Sequence, residues 1–188
     1  MAIFVLVHGG WHGGWCWKRV TPHLQAAGHV VYAPTLTGLG ERSHLASPEI
    51  NLSTHIQDIL NVLIYEELTD VVLVGHSYSG IVIAGVADRA PERVTGLVYL
   101  DAFVPEDGQS LQDILRPPYG EGVNLEALSV DGWRLPYPFL ERPFGITSEA
   151  DAQWVLDKIT PQPVKTLLEP VHFTNGDGAG DDRDVVYS

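Results

Sequence analysis

The sequence predicts an α/β fold in which a mostly parallel β-sheet carries helices on both faces. Two observations support this prediction. Residues 3–7, 71–74 and 94–100 are continuous apolar runs rich in β-branched side chains, as is typical of strands buried on both faces of a parallel sheet. Segments of helical character separate these runs, and such strand–helix–strand alternation is the pattern from which parallel sheets are built.

The first helical segment and the strand after it are indicated by the glycine and proline residues within and between them. Residues 15–27 are expected to form a helix that ends at Gly28, because glycine commonly terminates helices. Pro22 either kinks this helix or marks a new helix capped by Thr21. A short strand at residues 29–33 is expected to follow.

The clearest helical signal comes before the second long apolar run. Thr54 and Gln57 can form a capping box at its start. Apolar side chains then recur at spacings of three and four residues, which predicts that one helix face packs on the sheet. These side chains are Ile56, Ile59, Leu60, Leu63 and Ile64. A further helix at residues 78–90 is apolar nearly all round.

The length of the chain favours one domain. Its 188 residues, 45% of them apolar, can bury one core but are few for two domains of about 100–200 residues each. We expect a single domain over residues 1–188, with a core at 1–104, a helical lid inserted at 105–170 and an incomplete return to the core at 171–188. Clustered prolines and aromatics without a strand pattern indicate the lid, and residues 183–187 are expected to open a further strand.

Charge and composition exclude several classes of partner. The 24 acidic and 11 basic side chains give a net charge of −13, which repels nucleic acid and anionic membrane surfaces. The single cysteine cannot form an intrachain disulfide, no apolar run spans a bilayer, and no secretion signal is recognisable at the start, so we expect a cytoplasmic protein. No metal site is expected. No cofactor is expected either, because the glycines at residues 8–14 lack the order of a dinucleotide-binding loop.

A candidate nucleophile follows the apolar run at residues 71–74. The run continues into a helix through small residues placed around Ser77. This arrangement predicts a nucleophile elbow, a tight turn in which the positions two before and two after the serine must be small. Gly75 and Ser79 meet that need, although Ser79 departs from the usual G-x-S-x-G pattern and is followed by Gly80.

The same turn supplies a candidate oxyanion donor. The amide of Tyr78 is unpaired at the N-terminus of its helix and lies at the positive end of the helix dipole. A second donor should come from the glycine-rich loop at residues 8–14, because glycines let the backbone approach a substrate oxygen closely. His8 is expected to order this loop rather than to transfer protons.

Four motifs together resemble the small bacterial and plant α/β-hydrolases of the hydroxynitrile lyase and methylesterase type. They lie at residues 7–15, 34–40, 75–80 and 99–105. The resemblance implies the α/β-hydrolase fold with an inserted lid, and it assigns the oxyanion donors to the amides of Gly10 and Tyr78. The resembling hydroxynitrile lyases carry threonine at the substrate-binding position that Gly9 occupies here, and this difference favours ester hydrolysis.

The remaining members of a catalytic triad are not evident. In the resembling family an acid and a histidine follow later strands, so we expect the C-terminal strands to be truncated and both positions to lie beyond Ser188. Asp101 and His172 would complete the order serine, acid, histidine. Asp101 is alternatively a structural residue at a strand end, and His172 a packing or surface histidine.

Truncation has expected consequences for stability, activity and association. The isolated chain should be poorly stable and weakly active, because a serine without its base is a weak nucleophile. A lost strand would also expose a sheet edge that invites association. A homodimer is therefore one expected state.

Taken together, these observations predict a serine hydrolase that cleaves carboxylic esters of small to medium apolar substrates through an acyl-enzyme. Trp133, Leu135, Tyr137 and Phe139 are expected either to line an apolar substrate pocket or to form the core of the lid. One alternative is a non-catalytic scaffold that binds a small apolar ligand. Another is carbon–carbon lyase chemistry of the hydroxynitrile type.

Overall fold

The computed structural model describes residues 1–119, 124–138, 145–175 and 184–187. Its strands are Ile3–Val7 (β1), Val30–Tyr32 (β2), Val71–His76 (β3), Val94–Leu100 (β4), Arg134–Leu135 (β5), Gln162–Pro163 (β6) and Asp184–Tyr187 (β7). Its α-helices are Thr21–Ala26 (α1), Leu52–Tyr65 (α2), Ser79–Arg89 (α3), Leu111–Tyr119 (α4), Glu149–Leu156 (α5) and Lys165–Leu168 (α6).

The central sheet confirms the predicted α/β class. In the described residues it has five strands in the order β2-β1-β3-β4-β7, and every neighbouring pair is parallel. The expected strand at residues 183–187 is present as β7 and pairs with β4. Because β1 and β3 lie inside the sheet, the loops that follow them emerge side by side at its carboxyl edge.

Both faces of the sheet are covered, as the continuous apolar runs predict. Successive side chains of a strand point to opposite faces. Accordingly, Val5 and Val7 join the large cluster with the apolar faces of α2 and α3, whereas Leu6 packs with Trp17 and Val74 in a second cluster. Helix α3 is buried along nearly its whole length, in agreement with its apolar sequence.

The region around Pro22 contains two helical segments rather than one kinked helix. A 3₁₀ helix covers Gly14–Arg19, and α1 restarts at Thr21 with Pro22 in its first turn. Proline is tolerated there because the first amides of a helix have no intrahelical acceptor. The expectation of a restart is therefore correct, whereas the expected cap is absent, because no side chain caps α1.

The start of α2 differs from the prediction. The capping box is formed by Asn51 and Thr54, not by Thr54 and Gln57: the Asn51 side chain accepts from the Thr54 amide at 2.9 Å, and the Thr54 hydroxyl accepts from the Asn51 amide at 3.4 Å. The helix begins earlier because Leu52 and His55 are also buried against the core. At its other end Ile64 is 48% exposed and does not join the buried stripe.

The segment at residues 105–170, called the lid here, is not purely helical. It contains α4, α5 and α6, but β5 and β6 also form an antiparallel pair in it. The prediction that the lid has no strands is wrong, because two-residue strands are too short to show an alternating pattern. The division of the chain into core, lid and return stays a prediction. In the described ranges, no helix is both long and apolar enough to cross a membrane.

Candidate active site

Ser77 lies in the turn between β3 and α3 with its backbone in the left-handed region, at φ +53°. Non-glycine residues rarely adopt this conformation, so surrounding contacts must hold it. The Ser77 amide donates to the Leu100 carbonyl at 3.4 Å, and the Ser77 carbonyl accepts from the Phe103 amide at 3.1 Å. The end of β4 thus supports the turn, and the half-buried Ser77 side chain stands at the carboxyl edge of the sheet.

The glycines around Ser77 are needed for close packing. A Cβ atom on Gly75 would lie 2.7 Å from the Ser79 carbonyl oxygen, and one on Gly80 would overlap the Phe103 carbonyl oxygen. Ser79 itself has room for its side chain, which is fully buried and donates a hydrogen bond to the His8 carbonyl. The departure from G-x-S-x-G therefore adds a link between α3 and the loop at residues 8–14, which is called the glycine loop here.

The structure brings the two candidate oxyanion donors together beside Ser77. A Cβ built on Gly9 would lie 3.2 Å from the Ser77 Cβ, and one built on Gly10 would lie 3.8 Å from the Tyr78 Cβ. Among the hydrogen bonds of the described residues, neither the Gly10 amide nor the Tyr78 amide has an acceptor in the protein. Two free N–H groups near a serine hydroxyl have the arrangement expected of an oxyanion hole.

His8 orders the glycine loop in the way the sequence predicts. Its Nε2 accepts from the Leu36 amide at 3.0 Å, so the proton resides on Nδ1, which donates to the Gly9 carbonyl at 2.9 Å. That carbonyl and the Gly10 N–H belong to one trans peptide and point in opposite directions. Burial lowers the pKa of His8 to about 3, so the ring stays neutral and keeps this hydrogen-bond pattern.

Two further histidines, His12 in the glycine loop and His76 against it, were not assigned a role from the sequence. His76 precedes Ser77, and its Nδ1 would lie 2.8 Å from a Cβ on Gly9. Burial lowers the pKa of His76, and the charge of Asp101 opposes this effect. His12 has its Nδ1 2.7 Å from the Gly10 carbonyl, and burial lowers its pKa to about 4. His12 and His76 lie inside the motifs at residues 7–15 and 75–80, and this was the sequence signal that could have pointed to them.

The structure gives no support to Asp101 and His172 as triad partners. Asp101 directly follows β4 and is exposed, with φ +44°, and its charge acts on His76. The His172 side chain is 70% exposed, and its Nδ1 lies 3.7 Å from an Asp107 carboxylate oxygen. Within the described parts of the chain, no hydrogen bond or ion pair joins His172 to Ser77 or to Asp101.

The lid residues expected near the substrate pack around Trp11 of the glycine loop. Leu135 and Tyr137 are 4% and 5% exposed. The Leu135 carbonyl accepts from the Trp11 indole N–H at 2.9 Å, and the Tyr137 ring contacts the Trp11 ring edge to face. Trp133 is half-buried, and its carbonyl accepts from the Val164 amide. Phe139 lies outside the described residues.

Gln162 is the lid residue that the sequence analysis missed. It is fully buried in β6, and its Oε1 accepts from the Trp11 backbone amide at 3.0 Å. The two residues are 151 positions apart, and no local pattern could have joined them.

Comparisons with known proteins agree with this geometry. A family model described as the alpha/beta hydrolase family matches residues 4–186. The carbendazim hydrolyzing esterase of Nocardioides sp. (strain SG-4G) is 42% identical over 197 aligned positions, which cover 100% of this chain and 80% of that protein. Methylesterase 2 of Arabidopsis thaliana is 34% identical over 132 positions, covering 69% of this chain and 48% of that protein.

A solved structure shows the same fold. An extracellular alpha/beta-hydrolase from a Paenibacillus species superimposes with a TM-score of 0.85 at 26% identity, covering 100% of this chain and 77% of that one. The chain thus spans about half the length of the plant methylesterase and about four fifths of the bacterial esterase. The resemblance stated from the four motifs is confirmed. The chain belongs to the alpha/beta hydrolase family, and the two curated relatives named above are ester-cleaving enzymes.

Proposed function

We propose that this ester-cleaving hydrolase acts through an acyl-enzyme formed on Ser77, with the amides of Gly10 and Tyr78 holding the oxyanion. The observation that carries the proposal is the position of Ser77. It occupies a left-handed turn at the end of β3, next to two backbone N–H groups that have no acceptor among the described residues. A serine held in this way presents its hydroxyl where a bound carbonyl can meet both donors.

The proposed reaction has two steps. The Ser77 Oγ attacks the ester carbonyl carbon and passes its proton to a base, and the carbonyl oxygen becomes an oxyanion that accepts from both amides. The carbon–oxygen bond to the alcohol then breaks and the alcohol leaves with a proton. Water attacks the acyl-enzyme in the same way and releases the acid. Among the described residues no histidine is hydrogen-bonded to the Ser77 hydroxyl, and an acid and a histidine after later strands stay a prediction.

Gly9 favours ester hydrolysis over hydroxynitrile-type lyase chemistry. A Cβ at this position would lie 2.8 Å from the His76 Nδ1 and 3.2 Å from the Ser77 Cβ. The threonine of the resembling lyases therefore could not occupy this place without displacing the His76 ring. The non-catalytic scaffold stays an alternative, which the experiments on Ser77 address.

The proposed substrates are esters of small to medium apolar groups. The Tyr137 ring packs against Trp11 of the glycine loop, and the buried Leu135 accepts from the Trp11 indole through its carbonyl, which supports an apolar environment for the acyl or alcohol part. Carbendazim, the compound named for the Nocardioides relative, belongs among the compounds to assay. The cytoplasmic location and the homodimer expected from the sequence also stay proposals.

The test is ester turnover by the purified chain. The assay uses p-nitrophenyl acetate, p-nitrophenyl butyrate and carbendazim, with Ser77→Ala and, as a matched control, Ser129→Ala at a half-buried lid position. We expect slow turnover, because no described histidine is hydrogen-bonded to the Ser77 hydroxyl, and we expect it to vanish in Ser77→Ala and persist in Ser129→Ala. Equal rates in the wild type and Ser77→Ala would refute the proposal.

A further inference from the structure

Trp11 in the glycine loop is held by the lid from three directions. Its amide donates to Gln162 Oε1 at 3.0 Å, its carbonyl accepts from the Thr160 amide at 2.9 Å, and its indole N–H donates to the Leu135 carbonyl at 2.9 Å. All three partners belong to the lid. Both sides of the Trp11 backbone and its side chain are therefore fixed by the inserted segment rather than by the glycine loop itself.

Trp11 needs such support because of its backbone conformation. Its φ is +64°, in the left-handed region that a bulky non-glycine residue rarely adopts. Trp11 directly follows Gly10, whose amide is the proposed oxyanion donor. A change in the Trp11 backbone would be transmitted to the peptide that carries the Gly10 N–H, since the two peptide planes share the Gly10 Cα.

The orientation of the Gln162 amide is fixed by its own neighbours. Gln162 Nε2 donates to Thr166 Oγ1 at 2.7 Å, and the Thr166 hydroxyl donates to the Pro163 carbonyl at 2.6 Å. The Thr166 oxygen is thus the acceptor for the NH₂ group, which leaves Oε1 facing Trp11. Both Gln162 and Thr166 are almost completely buried, so water cannot replace either partner easily.

We propose that Gln162 is a positioning residue through which the lid sets the geometry of the oxyanion hole. By accepting from the Trp11 amide, Gln162 holds Trp11 in its left-handed conformation and keeps the adjacent Gly10 amide directed towards the substrate oxygen. A Cβ built on Gly10 would lie 3.7 Å from Gln162 Oε1, so the side chain also borders the hole directly. The inference rests on the proposed function, because it assigns Gly10 to the oxyanion hole.

The test compares two lid glutamines whose side-chain oxygens each accept a hydrogen bond from a backbone amide. Gln162→Leu removes the acceptor for Trp11 and keeps a similar volume. Gln112→Leu is the matched control, because Gln112 Oε1 accepts from the Leu125 amide inside the lid at 3.1 Å, away from the glycine loop. Thermal unfolding of both variants establishes that they fold.

Two readouts are measured on the full 188-residue chain. One is hydrogen exchange of the Trp11 amide. The other is modification of the chain by a fluorophosphonate probe, separated into the maximal rate and the half-saturating probe concentration. In Gln162→Leu we expect faster exchange at Trp11 and a maximal rate lowered at least about tenfold, because a displaced oxyanion donor weakens catalysis strongly. The half-saturating concentration should change less than about twofold, and Gln112→Leu should match the wild type in both readouts.

A conservative variant separates positioning from simple packing. In Gln162→Glu at pH 5, a protonated buried carboxyl can accept from Trp11 and donate to Thr166, so Trp11 protection should return to the wild-type level at that pH. If protection does not return, the loss in Gln162→Leu comes from packing and the inference falls.

The remaining outcomes are equally decisive. Unchanged exchange in Gln162→Leu, or unchanged labelling despite faster exchange, would overturn the inference. A wild-type chain that the probe does not modify would count against the proposed function instead. The inference would then be decided by the exchange of Trp11 alone, with unchanged protection overturning it.

Discussion

Ser77 and Trp11 both hold a backbone conformation that residues with a side chain seldom adopt. Their φ values are +53° and +64°, and each conformation is maintained by hydrogen bonds from a distant part of the chain. For Ser77 the support comes from the end of β4, and for Trp11 it comes from the lid. The two residues flank the proposed oxyanion hole, so the strain lies where positioning of the reacting groups matters.

The packing of the turn at Ser77 gives a prediction about stability. In Gly75→Ala the new methyl group would lie 2.7 Å from the Ser79 carbonyl oxygen, so the first turn of α3 must move. We expect the free energy of unfolding to fall by about 1–3 kcal/mol, measured by urea denaturation. Gly10→Ala is the control, because its Cβ meets no atom nearer than 3.7 Å, and its unfolding free energy should change by less than about 0.5 kcal/mol. Equal stability of the two variants would contradict this packing.

Residues whose roles depend on neighbours in sequence could be predicted, and those that depend on distant contacts could not. The motif around Ser77 follows from local pattern, because strand, turn and helix are consecutive there. Gln162 meets Trp11 across 151 positions, and a lone glutamine between prolines carries no signal of that contact. The hydroxyl of Ser79 was judged only by its small size, whereas its hydrogen bond to His8 needed the folded chain.

At the scale of elements, α2 shows how a correct helix can have a wrongly predicted start. The apolar spacing indicated the helix and its buried face, but Asn51 rather than Thr54 is its N-cap. Several residues near that position can cap a helix, and tertiary burial of Leu52 decides among them. The pair β5–β6 was missed for a related reason, since its pairing is set by contacts within the lid rather than by local alternation.

The cap of α2 can be tested by two substitutions. Asn51→Ala removes the acceptor for the Thr54 amide and should lower the free energy of unfolding by about 1 kcal/mol. Gln57→Ala removes only an exposed side-chain hydrogen bond to Asn61 and should cost a few tenths of a kcal/mol. Urea denaturation of both variants provides the measurement, and a larger loss in Gln57→Ala would restore the capping box expected from the sequence.

For the whole molecule, three buried neutral histidines link stability to pH. Burial lowers the pKa of His8 to about 3 and those of His12 and His55 to about 4, compared with about 6.5 in an unfolded chain. Below pH 6.5 the unfolded chain therefore binds protons that the folded chain does not. The stabilisation is complete above pH 6.5 and declines as the pH falls towards these lowered values.

This linkage predicts a falling free energy of unfolding between pH 7.5 and pH 5. Each histidine protonated only in the unfolded chain contributes up to about 1.4 kcal/mol per pH unit. Urea denaturation at several pH values measures the slope, which His12→Gln should reduce and His23→Gln, at an exposed position, should leave unchanged. A flat profile in the wild type would show that these rings are not buried as neutral groups.

The central sheet, with the loops at its carboxyl edge, is the part of the molecule that the sequence predicts best. Continuous apolar runs specified β1, β3 and β4, and parallel pairing then places the loops after β1 and β3 side by side. The lid is described least well, because its prolines and short elements leave its packing to long-range contacts. The proposed site combines both parts, with Ser77 and the glycine loop on the sheet and Gln162 from the lid.

The most direct test of the central claim is the mass of the fluorophosphonate adduct and its position in the chain. After prolonged incubation, we predict one adduct per chain, located by peptide mapping at Ser77, absent from Ser77→Ala and retained in His172→Ala. Adduct formation on Ser77→Ala to the same extent, or a wild-type chain that stays unmodified, would contradict the assignment of Ser77 as the nucleophile.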